Sequence, residues 1–179
     1  MVDIEDPRQV KFYNLEGKSY SNSLQAELNM RPVENFDVRL AYRFFDVKTT
    51  YGSKLLQKPL TAQNRAFANL AYDLKGWKLD YTINYIGNKR IPSTAINPQQ
   101  YQLRETSPSY IMMNAQLSKS LGKEKLFDAY VGGENLTNYF QKNIVLAADQ
   151  PFSNYFDASL IWGPITGRQV YVGFRYTIK

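Results

Sequence analysis

The sequence predicts an all-β fold, an antiparallel transmembrane β-barrel segment of about eight up-and-down strands. Three observations predict it. Apolar and polar residues alternate with a period of two in one segment after another, and the connections between these segments are alternately short and long. Most segments also reach the roughly 9–11 residues that a tilted strand needs to cross a membrane, whereas globular strands typically have about 5–6. Helical periodicity is sustained nowhere.

Residues 20–31 show the alternation most clearly. Five of the six even positions are apolar or aromatic, and all six odd positions are polar. A β-strand places these two sets on opposite faces. The segment therefore predicts a strand with one apolar and one polar face.

The same pattern predicts six later strands, and a shorter candidate precedes them all. In chain order the candidates are 9–14, 20–31, 36–44, 66–74, 77–85, 111–118, 127–134 and 169–178. Aromatic residues on the apolar face cluster toward the strand ends, which is typical of the girdles of membrane barrels because amphipathic rings favour the headgroup level. They are Phe36, Tyr72, Trp77, Phe127 and Tyr176 toward the short connections, and Tyr20, Phe44 and Tyr85 toward the long ones.

The connections differ in length in a regular way. After a turn at 15–18, short connections at 32–35, 76 and 122–125 alternate with long ones at about 52–62, 88–107 and 139–166. Membrane barrels combine tight periplasmic turns with long extracellular loops. If the last strand ends in the periplasm, as in such barrels, the long connections are extracellular.

Composition excludes several classes of function. The 179 residues contain no cysteine and no histidine, so the chain lacks thiolate chemistry, disulfides and a Ser-His-Asp or Cys-His catalytic centre. We therefore expect no enzyme, no cofactor and no metal site. The net charge is +6, but the 22 basic residues are scattered, so no nucleic-acid partner is predicted. The acidic start of the chain predicts no signal peptide, and no run approaches 18 apolar residues.

The second half of the chain carries recognisable motifs. Residues 132–139 read Gly-Gly-Glu-Asn-Leu-Thr-Asn-Tyr, followed by Pro151-Phe152, Phe156-Asp157-Ala158, Trp162-Gly163-Pro164 and Gly167-Arg168. This succession resembles the end of TonB-dependent outer-membrane receptors, particularly of the Bacteroidetes type. Gly173, Tyr176 and Ile178 resemble the C-terminal signal read by the barrel-assembly machinery, although Lys179 stands where a terminal aromatic residue is commoner.

The resemblance implies a receptor that takes up a scarce nutrient (a siderophore, cobalamin, metal, glycan or peptide) across the outer membrane of a Gram-negative cell. Such barrels have about 22 strands and a plugged lumen. Residues 1–179 would then be the C-terminal portion of the barrel, with the plug domain and signal peptide absent. The implied partners are outer-membrane lipid, the remaining strands and plug, the barrel-assembly machinery, and the TonB system through the missing N-terminal part.

Two sets of residues are candidates for ligand contact. Polar residues facing the lumen would contact substrate or plug, or else form a hydrated wall of cross-strand ion pairs; they are Gln25, Glu27, Asp37, Arg39, Arg43, Asp80, Glu134 and Arg175. Residues of the extracellular loops would recognise the ligand, or else pack against neighbouring loops; they are Tyr101, Arg104, Phe152, Tyr155 and Phe156. Glu134 with Arg168 is a further candidate for fixing the last long loop.

Alternation alone does not say which face points inward. The alternative interpretation is a soluble, lipocalin-like barrel of eight strands whose apolar face lines a ligand cavity. An outer-membrane lipase or protease is a third interpretation, which the absence of histidine disfavours.

Overall fold

The computed structural model describes residues 12, 14–122, 124 and 126–178, and this part of the chain is built from β-strands. The strands are β1 (Ser19–Val33), β2 (Phe36–Tyr51), β3 (Lys54–Gln57), β4 (Asn64–Leu74), β5 (Trp77–Ile86), β6 (Tyr110–Leu121), β7 (Phe127–Glu134) and β8 (Gln169–Tyr176). A single-turn 3₁₀ helix, Gln99–Tyr101, lies in the connection between β5 and β6. Across the described residues, no helix is long and apolar enough to span a membrane.

All strands belong to one antiparallel sheet. Its order is β1-β2-β4-β5-β6-β7-β8, so each long strand pairs with its neighbours in the chain. Within the described residues the outer edges of β1 and β8 are unpaired, and the sheet is open. The predicted all-β, up-and-down antiparallel fold is confirmed.

The prediction differs from the structure between residues 45 and 57. β2 runs to Tyr51, seven residues beyond the predicted end, and β3 forms a hairpin with its last four residues inside the predicted long connection. The adjacent Phe44 and Phe45 interrupt the alternation, which removes the signal on which the prediction depended. The candidate strand at 9–14 lies outside the described residues, apart from Phe12 and Asn14.

The three predicted short connections all lie at one end of the sheet. Lys75 and Gly76 join β4 to β5 with φ of 50° and 79°. Two positive φ angles are typical of type I′ hairpins, whose twist matches that of the flanking strands. The long connections (52–63, 87–109 and 135–168) all lie at the opposite end. The two ends are called the short-turn end and the long-loop end below.

The apolar face of the sheet is exposed along its whole width. Leu24 on β1 is 69% exposed and Val172 on β8 is 74% exposed, while Leu40 and Leu70 are not fully buried either. The buried apolar cluster lies in the long loops instead, around Tyr101. A soluble barrel would gather the apolar side chains of its strands in its interior, and the described structure does not.

β4 is long enough to cross a membrane at the tilt that barrel strands have. The eleven residues of β4 are roughly 33 Å long at 3.3 Å per residue, or about 23 Å along the barrel axis at a tilt near 45°. Outer-membrane barrels carry an apolar band about 25 Å tall. Near the short-turn end, Phe36 meets Tyr72 at 6.3 Å between ring centroids. Near the other end, the predicted Tyr85 lies in one cross-strand row with Tyr42, and the predicted Phe44 lies one row further along β2.

Candidate functional site

The pairing of the strands fixes which side chains share the polar face. Gln25 lies opposite Arg43, and Asp37 lies opposite Ala71, which in turn lies opposite Asp80. Arg175 lies opposite Asp128, and Glu134 opposite Gln169. All eight lumen candidates lie on this face, opposite the exposed apolar side chains.

Several of these candidates are held by neighbouring side chains. Arg39 Nε lies 3.0 Å from Glu27 Oε1, and the Arg31 guanidinium binds both carboxylate oxygens of Asp37, at 2.7 and 3.2 Å. Asn69 Nδ2 donates to both carboxylate oxygens of Asp80 at 3.1 Å. These contacts are cross-strand polar networks, which the sequence analysis gave as the alternative to ligand contact. Exposed pairs of this kind contribute little to stability because solvent screens the two charges.

A shallow hollow of about 360 Å³ lies on the polar face near the short-turn end. Asp37, Asp80, Asp128, Tyr130 and Arg175 contribute to its lining. Carboxylates predominate there, and Asp128 already accepts a hydrogen bond from Ser120 Oγ at 2.6 Å. The hollow therefore places Arg175 among acidic groups, where it is positioned to balance their charge.

The proposed contact between Glu134 and Arg168 has a different form. The Arg168 guanidinium donates to the Leu136 carbonyl at 2.7 Å, and its backbone N–H donates to Asn138 Oδ1 at 2.9 Å. Arg168 therefore does stabilise the base of the last long loop, but through these two groups. No ion pair joins it to Glu134 within the described residues.

The loop candidates fall into two groups. Tyr101 is buried, donates its hydroxyl to Asp149 at 2.7 Å and stacks on Tyr155 at 6.2 Å. The hydrogen bond to Asp149, and then burial, raise the pKa of Tyr101, so the hydroxyl remains a donor. These two tyrosines pack the loops together, which was the stated alternative to recognition. Arg104 is exposed, Phe156 is half-buried and Phe152 is 92% exposed, so Arg104 and Phe152 are the accessible candidates.

An aromatic cluster that the sequence analysis missed joins the loops to the sheet. Tyr110 and Tyr139 stack at 4.8 Å, and Trp162 lies 6.5 and 6.4 Å from them. The buried Lys89 donates to the Trp162 carbonyl, and its Nζ lies 5.6 Å from the centroid of the Tyr110 ring. Burial and then the charge of Arg65 lower the pKa of Lys89. The polar run Asn88-Lys89-Arg90 gave no signal of a buried position.

Asn135, within the recognised motif, organises the base of the last loop. It is buried with a φ of 50°, and its Nδ2 donates to the carbonyls of Tyr139 and Thr166 at 2.8 and 3.1 Å. Its Oδ1 accepts from Thr137 Oγ1 and from the Tyr139 N–H. The sequence singled out this segment by resemblance, and the structure gives the asparagine a physical role in fixing the loop.

The predicted assembly signal lies at the exposed C-terminal end of the described residues. Tyr176 ends β8, and Ile178 follows it, 84% exposed. Gly173 lies directly opposite Tyr130, and a Cβ at position 173 would overlap the Tyr130 ring. The same relation joins Gly132 to Tyr171. Each tyrosine ring covers the glycine opposite, so Gly173 has a packing role in the sheet as well as its predicted role in the signal.

Replacing Gly173 by valine is therefore expected to weaken the pairing of β7 with β8. The added atoms collide with the Tyr130 ring, and overpacking of this kind costs about 1–3 kcal/mol. The folded fraction of the purified protein, measured by gel mobility with and without heating, should fall. Adding Tyr130→Ala to the Gly173→Val variant should restore much of the folded fraction, because the ring that the valine would meet is gone. A loss that Tyr130→Ala leaves unchanged would rule out this packing role.

Among the described residues, no group of three or more histidine, cysteine or carboxylate side chains is placed to hold a metal ion. No protein-family model and no curated protein matches the sequence. The fold does match solved structures. The siderophore receptor PiuA from Acinetobacter baumannii aligns over 88% of this chain with a TM-score of 0.57 and 14% identity. The FrpB iron transporter from Neisseria meningitidis (F3-3 variant) aligns over 87% with a TM-score of 0.56 and 13% identity.

The aligned region is only part of these proteins. The chain spans 22% of the PiuA chain and 23% of the FrpB chain, so it corresponds to about a quarter or less of each. At this level of identity the likeness shows the fold. The predicted resemblance to the barrel of TonB-dependent receptors is thereby confirmed at the level of the fold, and the Bacteroidetes detail stays a prediction.

Proposed function

We propose that residues 1–179 form the C-terminal part of a TonB-dependent outer-membrane receptor barrel, and that the whole protein takes up a scarce nutrient without catalysing a reaction. One observation carries the proposal: the apolar face is exposed from β1 to β8, while neither outer edge of the sheet is paired within the described part of the chain. Exposed apolar surface of this extent indicates contact with lipid or with other protein. A strand of the length of β4, tilted near 45°, spans about 23 Å, which fits the hydrocarbon layer of a membrane.

The open edges support the proposal that further strands complete the barrel. An unpaired strand in a membrane leaves backbone N–H and C=O groups without partners, which costs several kcal/mol per group. β1 offers a fifteen-residue edge and β8 an eight-residue edge. The remaining strands of the same receptor would pair with both, and a plug would contact the polar face. In this proposal the long loops are extracellular.

Iron complexes are the first substrates to test. PiuA is a siderophore receptor and FrpB an iron transporter, and both share the fold of this chain. Cobalamin, other metals, glycans and peptides remain the other candidate nutrients. TonB would supply the energy through the N-terminal part of the receptor, and the assembly machinery would read Gly173, Tyr176 and Ile178.

The soluble-barrel alternative receives no support from the geometry. A lipocalin-like protein would close by pairing its first and last strands and would enclose its apolar side chains. In the described part of this chain β1 and β8 do not pair, and Leu24 and Val172 are largely exposed.

Cell fractionation of the full-length protein tests the proposal. We expect the protein to sediment with outer membranes, to require detergent for extraction, and to migrate differently on gels before and after heating. Uptake of a ferric siderophore should then fall in cells that lack the gene, and should depend on TonB. A protein that remains in solution without detergent would refute the receptor interpretation and would favour the soluble barrel.

A further inference from the structure

Two arginines face each other on the polar face near the long-loop end. Arg43 of β2 lies directly opposite Arg65 of β4 in the register of the sheet. Like charges in directly opposed positions destabilise a sheet. They line a hollow of about 340 Å³, together with Gln25, Phe67 and Asn84 among others, and no carboxylate is among its lining residues.

One nitrogen of the Arg43 guanidinium also lacks a hydrogen-bond partner among the described residues. This nitrogen, Nε, is buried without a hydrogen-bond acceptor, the one buried side-chain atom of that kind within the described residues. The guanidinium is held 5.2 Å from the centroid of the Phe45 ring. An unsatisfied buried donor is costly, and in native proteins it calls for a specific explanation. By contrast, Arg31 and Arg39 on the same face are each paired with a carboxylate.

A third cation adds to the charge of this region. Lys89 follows β5 closely, and burial, followed by the charge of the nearby Arg65, lowers the pKa of Lys89. The hydrogen-bond acceptors around Lys89 Nζ are the Trp162 carbonyl and the Tyr110 hydroxyl, which are neutral groups. Positive charge therefore accumulates on this side of the sheet, and the described residues around the hollow leave it unbalanced.

We propose that this hollow binds an oxyanion, a carboxylate or phosphate group of a small transported ligand, between the guanidinium groups of Arg43 and Arg65. A planar guanidinium matches such groups through two parallel N–H···O bonds. The bound anion supplies the missing acceptor for Arg43 Nε and offsets the repulsion between the two arginines. A volume of about 340 Å³ is at the lower end of the range for small-molecule sites. The inference rests on the proposed receptor function for the origin of its ligand.

Binding to the purified full-length receptor in detergent tests this site. The probes are citrate and inorganic phosphate, with glycerol as a neutral comparison, and the measurement is titration calorimetry at low salt. We expect the wild-type protein to bind at least one of the two anions and not glycerol. Arg43→Gln and Arg65→Gln should each weaken that binding by about tenfold, because each removes one charge-assisted contact. The matched control Arg31→Gln, whose arginine is already paired with Asp37, should bind as the wild type does.

Arg65→Glu separates binding from a structural role. The new carboxylate would lie opposite Arg43 and supply its acceptor, so anion binding should disappear while the melting temperature stays the same or rises. If the wild type binds neither anion, or if Arg43→Gln and Arg65→Gln bind as it does, the site is refuted. A structure of the full receptor in which another part of the chain places a carboxylate on Arg43 also refutes it. If any of these results is found while the protein still inserts normally into the outer membrane, only the anion site is refuted and the proposed receptor function stands. If the wild-type protein is soluble, the receptor function itself is refuted.

Discussion

Replacing Ala68 by arginine is expected to block assembly of the protein into the outer membrane. Ala68 lies on the apolar face of β4, in one cross-strand row with Leu28, Leu40, Ile83 and Met113. This row lies near the middle of the apolar band. A lysine or arginine facing lipid at that depth costs about 2–4 kcal/mol in a membrane barrel. On the surface of a soluble protein, the same kind of change is usually within about 0.5 kcal/mol.

The same substitution three residues further along β4 is the matched control. Ala71 lies on the polar face between Asp37 and Asp80, so Ala71→Arg places a cation beside two carboxylates. We expect Ala68→Arg and Leu28→Arg to leave little heat-modifiable protein in the outer membrane, and Ala71→Arg to leave it near the wild-type amount. Equal amounts of heat-modifiable protein for Ala68→Arg and Ala71→Arg would show that the two faces of the sheet lie in the same environment.

Replacing Asn135 by alanine is expected to release the last long loop while the barrel still assembles. The substitution removes four side-chain hydrogen bonds, those to Tyr139, Thr166 and Thr137, at a cost on the order of 2–4 kcal/mol. It also places alanine at a φ of 50°, which asparagine adopts more readily. Because these contacts lie in the connection 135–168 and not in the strands, the loss should be local.

Limited proteolysis of intact cells measures this effect. Each loss of about 1.4 kcal/mol in the stability of the closed loop raises the fraction of open molecules about tenfold. Asn135→Ala should therefore raise the rate of cleavage within 135–168 by tenfold or more. The control is Asn143→Ala, an exposed asparagine of the same loop with a similar φ of 53°. If both variants are cleaved at one rate, Asn135 has no special role in closing the loop.

The strands were predictable because the sheet has one apolar and one polar face. From Trp77 to Ile86 successive residues lie on these two faces in turn, and the alternation defines the strand almost to its ends. The alternation fails in residues 45–51 of β2 and in β3, which lie at the long-loop end beyond the apolar band. There Phe44 and Phe45 are adjacent and Val47 is buried, so apolar residues fall on both faces and the sequence carries no strict alternation to detect.

The site was only partly predictable, for a different reason. The alternation along a strand assigned Arg39 and Arg43 to the polar face, but the register between strands decides which side chains they contact. That register pairs Arg39 with Glu27 and leaves Arg43 opposite Arg65, a residue that the sequence did not single out. The packing of the long loops buries Tyr101 and leaves Phe152 exposed. Such packing depends on contacts distant in the chain, which a local pattern does not contain.

The central claim is that the apolar face contacts lipid while the polar face lines a wet interior. Spin labels on single cysteines test it directly in the full receptor reconstituted in lipid vesicles, and this chain contains no cysteine of its own. Labels at Leu40 and Val172 should collide with dissolved oxygen and be shielded from a water-soluble nickel reagent. Labels at Arg39 and Tyr171, their neighbours on the polar face, should show the reverse. Equal accessibility to nickel at all four positions, or the opposite pattern, would contradict the claim.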